Sequence, residues 1–229
     1  MPFSIDQVIP WGRTLDEYEA MFSLSPQDKA GRILGCADGP ASFNAEMTAQ
    51  GCRVVSADPL YAFASEVIAQ RGRETFELVL DQTRRNRQDF VWDRIDSPEA
   101  LGQLRMEAQQ LFLEDFPCGR ADGRYIDASL PDLPFSDGVF DLALCSHFLF
   151  LYSQQFDLAF HVLAMQEMLR VAREVRVFPL LQLGGAPSPH VQGVVAACRA
   201  AGMRAELVSV NYEFMRNGNQ MLRVEEPMS

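Results

Sequence analysis

The sequence predicts an α/β protein with a doubly wound, mostly parallel sheet of seven strands. Three observations indicate this fold class. Short apolar segments alternate with helical patterns over most of the chain, as strands and crossover helices do in such sheets. A tight turn of small residues at 35–39 follows the first apolar segment. Near the end, Asn217-Gly218 separates two apolar segments, which predicts a C-terminal antiparallel hairpin.

Length and composition predict a single domain over residues 1–229. The chain has 229 residues, of which 48% are hydrophobic, and this suffices for one sizeable core. Residues 1–28 precede the first strand. Thr14 and Glu17 form a capping-box pattern there, which predicts a helix over 15–22. We interpret residues 1–28 as a helical flap beside the functional site.

The first strand is expected at 32–34, followed by a helix at 41–50 that ends at Gly51. A second strand is expected at 53–57. The next segment, 61–123, shows helical patterns at 62–70 and 73–89 and a helix that starts after Ser97. This segment is longer than a normal connection in an α/β unit, so it predicts a helical insertion after strand two.

The third strand is expected at 124–128 and the fourth at 142–145, where a continuous apolar run indicates a strand buried on both faces. The later elements are listed together: a helix at 154–172 capped by Ser153, a strand at 174–181 bent at Pro179, a helix at 190–201, and a hairpin with alternating Val208, Val210, Tyr212 and Phe214 that returns at 221–224.

The turn after strand one suits a nucleoside ligand. Gly35, Ala37 and Gly39 carry little or no side-chain bulk, so a ligand can approach the backbone closely. Asp58 ends the second strand about 20 residues later, where such sheets place an acceptor for ribose hydroxyls. Pro40 lacks the backbone N–H that a pyrophosphate would use. A nucleoside without phosphate therefore fits better than a dinucleotide.

These motifs, with a later run, resemble those of class I S-adenosylmethionine (SAM)-dependent methyltransferases, which have a Rossmann-like fold. The later run is Leu133-Pro134-Phe135, then Asp137-Gly138, then Phe140-Asp141 before the buried strand. The resemblance covers about residues 29–224. It implies SAM as cofactor, S-adenosylhomocysteine as product and methyl transfer as the activity. The sequence departs from the family pattern at Ile33, where the family has an acidic residue, and at Ala37 and Ser129.

The resemblance also implies the site residues. Those expected to bind the cofactor are Gly35, Cys36, Ala37, Asp38, Gly39, Ser42, Phe43, Asp58, Pro59, Leu60, Ser129, Leu130, Cys145 and Ser146. His147, after strand four, is the candidate general base, and the alternative is a structural histidine. Those expected to contact the acceptor are Arg13, Tyr18, Trp92, Phe148 and Tyr152.

Two rival functions remain open at this level. One is a SAM-binding but catalytically silent domain used for regulation or assembly, which Ile33 and Ser129 support. The other is a nucleotide-dependent oxidoreductase, against which Pro40 and the terminal hairpin argue. The segments 1–28 and 61–123 carry aromatic and arginine residues expected to close a pocket for a small-molecule acceptor.

Charge and cysteine content limit the partners and the compartment. Lys+Arg number 20 against 31 Asp+Glu, a net charge of −11, which argues against nucleic acid or an anionic membrane as partner. No apolar run is long enough to span a bilayer.

Five cysteines without a C-x-x-C motif, and no leader pattern, predict a cytoplasmic protein. The three histidines match no metal-ligand spacing, so no metal is expected. The sequence leaves the oligomeric state open.

Overall fold

A computed structural model of the chain describes residues 11–226. Seven strands form one sheet in the order β3-β2-β1-β4-β5-β7-β6. They are β1 (Arg32–Cys36), β2 (Arg53–Ala57), β3 (Tyr125–Ile126), β4 (Phe140–Ser146), β5 (Ala172–Phe178), β6 (Arg204–Ser209) and β7 (Gln220–Glu225). Only β7 is antiparallel to its neighbours, β5 and β6. The predicted fold class is confirmed.

Seven α-helices surround the sheet within residues 11–226. They are α1 (Leu15–Phe22), α2 (Pro26–Ala30), α3 (Phe43–Ala49), α4 (Ser65–Arg85), α5 (Pro98–Ala121), α6 (Leu158–Val171) and α7 (Val191–Ala200). Short 3-10 helices lie at Pro59–Ala62 and Arg87–Asp89. Helices α4 and α5 form the insertion predicted after strand two.

The register of the central strands brings three strand ends to one edge of the sheet. Cys36 of β1 pairs with Ala57 of β2 on one side and with Cys145 of β4 on the other. The residues that come next after these pairs, which include Asp58 and Ser146, therefore meet at this edge. This is the edge at which open α/β sheets bind ligands.

Two apolar layers cover the faces of the sheet. Helices α6 and α7 pack on one face, and α1 and α3 pack on the other. Met21 and Phe22 of α1 are fully buried, so this helix is part of the core as well as a wall of the site. Residues 1–10 of the predicted flap lie outside the described residues. A third, aromatic cluster, which includes Tyr61 and Phe112, joins the insertion to β3.

The insertion differs from its sequence prediction in one respect. The sequence patterns at 62–70 and 73–89 predict two separate helical segments, but α4 is one helix of 21 residues. Gly72, which interrupts the pattern, lies where a Cβ would come within 2.1 Å of the Gln109 side chain on α5. The glycine therefore lets α4 and α5 pack closely and does not end the helix.

Two other predicted boundaries are wrong for identifiable reasons. Helix α6 begins at Leu158, because Asp157 and not Ser153 accepts the capping hydrogen bond, from the Phe160 N–H at 2.9 Å. The Ser153 hydroxyl donates to the Phe150 carbonyl instead. Strand β5 ends at Phe178, so Pro179 follows the strand and does not bend it.

The terminal hairpin has a long loop, residues 210–219, where the sequence predicted alternating strand positions. The Val91 N–H donates to the Phe214 carbonyl at 2.8 Å, and the Arg216 N–H donates to the Asp89 carbonyl at 2.9 Å. The Phe214 ring stacks on Phe90, with centroids 4.8 Å apart. This loop therefore leaves the sheet and packs on the segment that follows α4.

Candidate functional site

The backbone of the turn after β1 is fixed by hydrogen bonds to two side chains, those of Asp58 and Tyr61. Ala37 and Gly39 both have a φ of +56°. The Gly39 N–H donates to Asp58 Oδ2 at 2.8 Å, and the Tyr61 hydroxyl donates to the Gly39 carbonyl at 2.8 Å. No heavy atom lies within 4 Å of the position that a Cβ on Gly39 would take. The space beside the turn is therefore open to a ligand.

Asp38 places a buried carboxylate in this turn. Its Oδ1 accepts from the Tyr18 hydroxyl of α1 and its Oδ2 from the Ser56 hydroxyl of β2, both at 2.7 Å. A Cβ on Gly35 would come within 1.7 Å of Asp38 Oδ2, so this glycine makes room for the carboxylate. Burial raises the pKa of Asp38 to about 6, and the negative charge of Asp58 contributes.

Asp58 is half-buried at the end of β2 and has both oxygens oriented by the backbone. Oδ1 accepts from the Leu60 N–H at 2.7 Å, and Oδ2 accepts from the Gly39 N–H. Burial raises its pKa to about 6, with a contribution from Asp127. Each carboxylate oxygen keeps a lone pair for a further donor.

A first cavity of about 270 Å³ opens at this edge. Ten of the residues predicted to bind the cofactor line it: Cys36, Ala37, Asp38, Gly39, Asp58, Pro59, Leu60, Ser129, Leu130 and Ser146. The other four lie behind the wall. Gly35 is covered by Asp38, Ser42 bonds Glu46, Phe43 stacks on Tyr18, and Cys145 is fully buried in the core. These four residues do not line the cavity, and their contact with the cofactor stays a prediction.

A second cavity of about 120 Å³ adjoins the first. Its wall comes from the residues before α1, the insertion, the loops after β4 and β5, and the long hairpin loop. Apolar side chains predominate: Trp11, Val79, Phe90, Leu101, Leu151, Leu183, Phe214 and Met215. Trp11, Arg13 and His147 line both cavities, so they mark the junction.

The residues predicted to contact the acceptor divide between the cavities. Tyr18 and Phe148 line the first, Tyr152 lines the second, and Arg13 lines both. Trp92 lines neither. Its Nε1–H donates to the Arg87 carbonyl at 2.9 Å and its ring packs against Phe214. Trp92 therefore lies behind Phe214 of the second cavity, and its contact with the acceptor stays a prediction.

A buried cluster of charged and polar groups lies beside the junction. Arg105 of α5 donates to both carboxylate oxygens of Glu17, at 2.5 and 2.6 Å, and the Tyr212 hydroxyl donates to Glu17 Oε1 at 2.7 Å. Burial alone would raise the pKa of Glu17, but the charge and hydrogen bonds of Arg105 outweigh it and lower that pKa. The cluster links α1, the insertion and the hairpin loop.

His147 is held in an unusual backbone conformation at the junction. Its φ is +53°, and its N–H donates to the Phe178 carbonyl at 2.7 Å. Its Nδ1 lies 3.0 Å from the Ser146 hydroxyl oxygen. Burial, together with the charges of Arg13 and Arg105, lowers its pKa well below the ordinary value. The imidazole is therefore neutral over the physiological pH range.

Sequence reasoning missed Arg105 and Tyr212 as parts of the site and assigned Glu17 only a capping role. One signal was available for Arg105, which lies on the apolar stripe of α5 between Leu101 and Ala108. A charged residue within such a stripe needs a buried partner. No sequence signal linked Tyr212 to Glu17, which are 195 residues apart.

Among residues 11–226, no group of three histidine, cysteine, aspartate or glutamate side chains is placed to hold a metal ion. In the same part of the chain, no helix has the length and hydrophobicity needed to cross a membrane.

The strand order, the single antiparallel strand β7, and the position of the first cavity define a class I methyltransferase fold, as the sequence resemblance predicted. The chain belongs to the family of the uncharacterized protein MJ0045 of Methanocaldococcus jannaschii. The two are 30% identical over 212 residues, which cover 92% of this chain and 93% of the relative. No protein-family model matches the chain.

Solved structures similar to the chain include three methyltransferases. Magnesium protoporphyrin IX methyltransferase from Synechocystis PCC 6803 is 11% identical, with 93% of this chain and 78% of that chain covered and a TM-score of 0.47. A SAM-dependent methyltransferase from Aquifex aeolicus is 13% identical (91% and 87% covered, TM-score 0.45). A putative one from Methanococcus maripaludis is 8% identical (94% and 84% covered, TM-score 0.48).

Proposed function

We propose that this protein is a SAM-dependent methyltransferase that acts on a small molecule. The observation that carries the proposal is the pair of adjoining cavities, which share Trp11, Arg13 and His147. A group-transfer enzyme needs one site for the donor, another for the acceptor, and a junction where the reacting atoms meet. The first cavity lies at the nucleoside-binding edge of the sheet, and the second has its own apolar lining.

The residues of the first cavity fit SAM. Asp58, whose oxygens each keep a free lone pair, would accept the ribose hydroxyls. The open space beside Gly39 lets the cofactor approach the turn, and Asp38 places a carboxylate near enough to line the cavity and attract its ammonium group. Leu60, Ser129 and Leu130 would form the adenine end. Pro40 offers no N–H for a phosphate, which agrees with a phosphate-free nucleoside.

Methyl transfer from SAM requires mainly that the protein hold donor and acceptor in the correct relative position. SAM supplies an activated methyl group on a sulfonium, and the protein orients the acceptor in line with it. His147, neutral at the junction, is a candidate to take a proton from the acceptor, although its lowered pKa makes it a weak base. The positive charges of Arg13 and Arg105 assist by favouring an ionised acceptor oxygen.

We expect the enzyme to act in the cytoplasm. We also expect its acceptor to be a small molecule. A second cavity of about 120 Å³ is smaller than ordinary ligand pockets of about 300–1,000 Å³, and the chain carries a net charge of −11. Both observations argue against a nucleic-acid acceptor. The second cavity also favours an enzyme over a silent SAM-binding domain, because a silent domain needs no acceptor site.

Calorimetry with the purified full-length protein tests the cofactor. S-adenosylhomocysteine is expected to bind saturably, and NAD is expected to give no heat. Saturable NAD binding with no response to S-adenosylhomocysteine would overturn the proposal.

Catalysis is then tested by incubating protein and SAM with a desalted small-molecule extract of the source organism. S-adenosylhomocysteine should form only when extract, SAM and protein are all present. Tight cofactor binding without any turnover would favour the silent domain instead.

A further inference from the structure

The half-buried Arg13 lies beside the buried cluster of Arg105, Glu17 and Tyr212. Together these groups include two guanidinium cations and, among residues 11–226, a single carboxylate, Glu17. Both oxygens of Glu17 bind Arg105, and Oε1 also accepts from the neutral hydroxyl of Tyr212. Glu17 is therefore committed to Arg105, and no other carboxylate of residues 11–226 forms an ion pair with Arg13.

The contacts of Arg13 agree with this imbalance. One terminal nitrogen donates to the Trp11 carbonyl at 2.8 Å, whereas the buried Nε–H has no hydrogen-bond partner in the part of the chain that the structure describes. Within residues 11–226, no carboxylate oxygen lies within ion-pair distance of Arg13. Burial and the nearby Arg105 lower its pKa. Arg13 is half-buried with its Nε shielded from solvent, and an anion that reaches such a guanidinium is bound by charge-assisted hydrogen bonds.

The other charged groups of the two cavities indicate which ligand supplies the anion. The first cavity carries the carboxylates Asp38 and Asp58, which suit the ammonium and hydroxyl groups of a cofactor, and one exposed arginine, Arg71. In the second cavity Arg105 is already paired with Glu17, and the one lining carboxylate, Asp89, is on an exposed residue. Within the described part of the chain, the second cavity therefore offers a cation without an ion-pair partner, Arg13, among mostly apolar side chains.

We propose that Arg13 binds a carboxylate of the methyl acceptor, whose apolar body lies in the second cavity against Leu101, Leu151 and Phe214. This inference rests on the proposed function and narrows the acceptor to a small organic acid. A guanidinium presents two parallel N–H groups to a carboxylate, which gives orientation as well as affinity. The anchored acid would present its reacting atom at the junction beside His147.

The test uses benzoate, cyclohexanecarboxylate and hexanoate, each compared with its neutral amide, in calorimetry on protein saturated with S-adenosylhomocysteine. At least one acid is expected to bind about tenfold more tightly than its amide, as for one charge-assisted hydrogen bond. Arg13→Gln should abolish this preference, and Arg13→Lys should retain part of it. Arg173→Gln, which removes an exposed arginine elsewhere, is the matched control.

A second comparison separates the acceptor from the cofactor's own carboxylate. Arg13→Gln should change the affinity for S-adenosylhomocysteine by less than about threefold. If it weakens S-adenosylhomocysteine but not 5′-methylthioadenosine, which lacks the amino-acid part, Arg13 binds the cofactor and the inference is wrong. The inference also fails if no acid is preferred over its amide. Failure of the wild-type protein to bind S-adenosylhomocysteine would instead overturn the proposed function.

Discussion

The hydroxyl of Tyr18 donates a 2.7 Å hydrogen bond to Oδ1 of Asp38, and both residues line the first cavity. The bond joins helix α1 to the turn after β1. Ser56 donates to the other oxygen of the same carboxylate. The N-terminal helix thereby fixes the orientation of an acidic group in the proposed cofactor site, in a chain where Ile33 replaces the acidic residue of the family pattern.

Tyr18→Phe is expected to weaken S-adenosylhomocysteine binding by about tenfold, because a hydrogen bond to a charged group contributes about 1.5–3 kcal/mol. The measurement is calorimetry at pH 8, where Asp38 is ionised. Tyr125→Phe is the matched control, since it removes a 2.8 Å tyrosine–aspartate bond, to Asp115, that does not line the cavity. Equal losses of affinity in the two variants would show that the effect is general destabilisation.

Gly35→Ala is expected to displace the Asp38 carboxylate, because the new Cβ would lie 1.7 Å from Oδ2. Overpacking of this kind costs about 1–3 kcal/mol of unfolding free energy. In an Asp38→Ala background the same change should cost much less, because the obstructing carboxylate is gone. Urea denaturation of the four proteins gives the coupling. Additive effects would mean that Gly35 serves another purpose.

The fold was largely predictable because its signals are local. The apolar run at 142–145 fixes a strand buried on both faces, and the Thr14 capping box correctly placed α1. The hairpin loop was missed, since Tyr212 and Phe214 alternate like strand residues. Their partners, Glu17 and Phe90, lie far away in sequence. Long-range packing therefore overrode the local period.

The predictability of the candidate site also depends on whether its residues are close together in sequence. The closeness of Asp58 to the turn at 35–39 was predictable because a short motif specifies the backbone that brings them together. Their contact with a cofactor stays a prediction. The second cavity was predicted only as a region, since its wall combines residues from segments distant in sequence. Gly35 shows the limit of motif reasoning: its small size serves Asp38 and not a ligand directly.

Binding of S-adenosylhomocysteine is expected to weaken as the pH falls through about 6. The pKa values of Asp38 and Asp58 are both raised to about 6 by burial. Protonation removes the acceptors for the ammonium and ribose groups, so the apparent Kd should be flat above about pH 7 and rise by about tenfold or more at pH 5. Calorimetry against pH measures this. Asp58→Asn should bind weakly at high pH with a flatter profile. Asp122→Asn, which changes an exposed carboxylate that lines neither cavity, is the control.

The carboxyl groups of Asp38 and Asp58 also make the unfolding free energy depend on pH. Their folded-state pKa lies above the unfolded value of about 3.8, so the folded protein binds protons more tightly than the unfolded chain. Their contribution therefore lowers the unfolding free energy as the pH rises from about 4 to 6. Asp38→Ala should reduce this slope in thermal denaturation of the ligand-free protein. A slope unchanged in that variant would contradict the raised pKa of Asp38.

Breaking the Glu17–Arg105 pair is expected to destabilise the protein by about 3–5 kcal/mol, because the remaining charge is left buried. Arg105→Met tests this by urea denaturation. Arg84→Met is the matched control, since the Arg84–Glu99 pair is exposed and worth at most about 1 kcal/mol. The pKa of Glu17 is lower in the folded protein than in the unfolded chain. The ionised Glu17 therefore stabilises the folded state above about pH 4.5, and this stabilisation is lost on acidification. A small effect of Arg105→Met would mean that water reaches the pair.

Ligand binding is expected to change the fluorescence of Trp11 and not that of Trp92, the only two tryptophans in the chain. Trp11 lines both cavities, whereas Trp92 lines neither and has its indole N–H bonded to the Arg87 carbonyl. Trp92→Phe, which retains Trp11, should show a saturable emission change with S-adenosylhomocysteine at the calorimetric Kd. Trp11→Phe should bind the ligand in calorimetry with little optical change. A signal that follows Trp92 instead would mean that binding rearranges the segment after α4, which carries Phe90 and closes the second cavity.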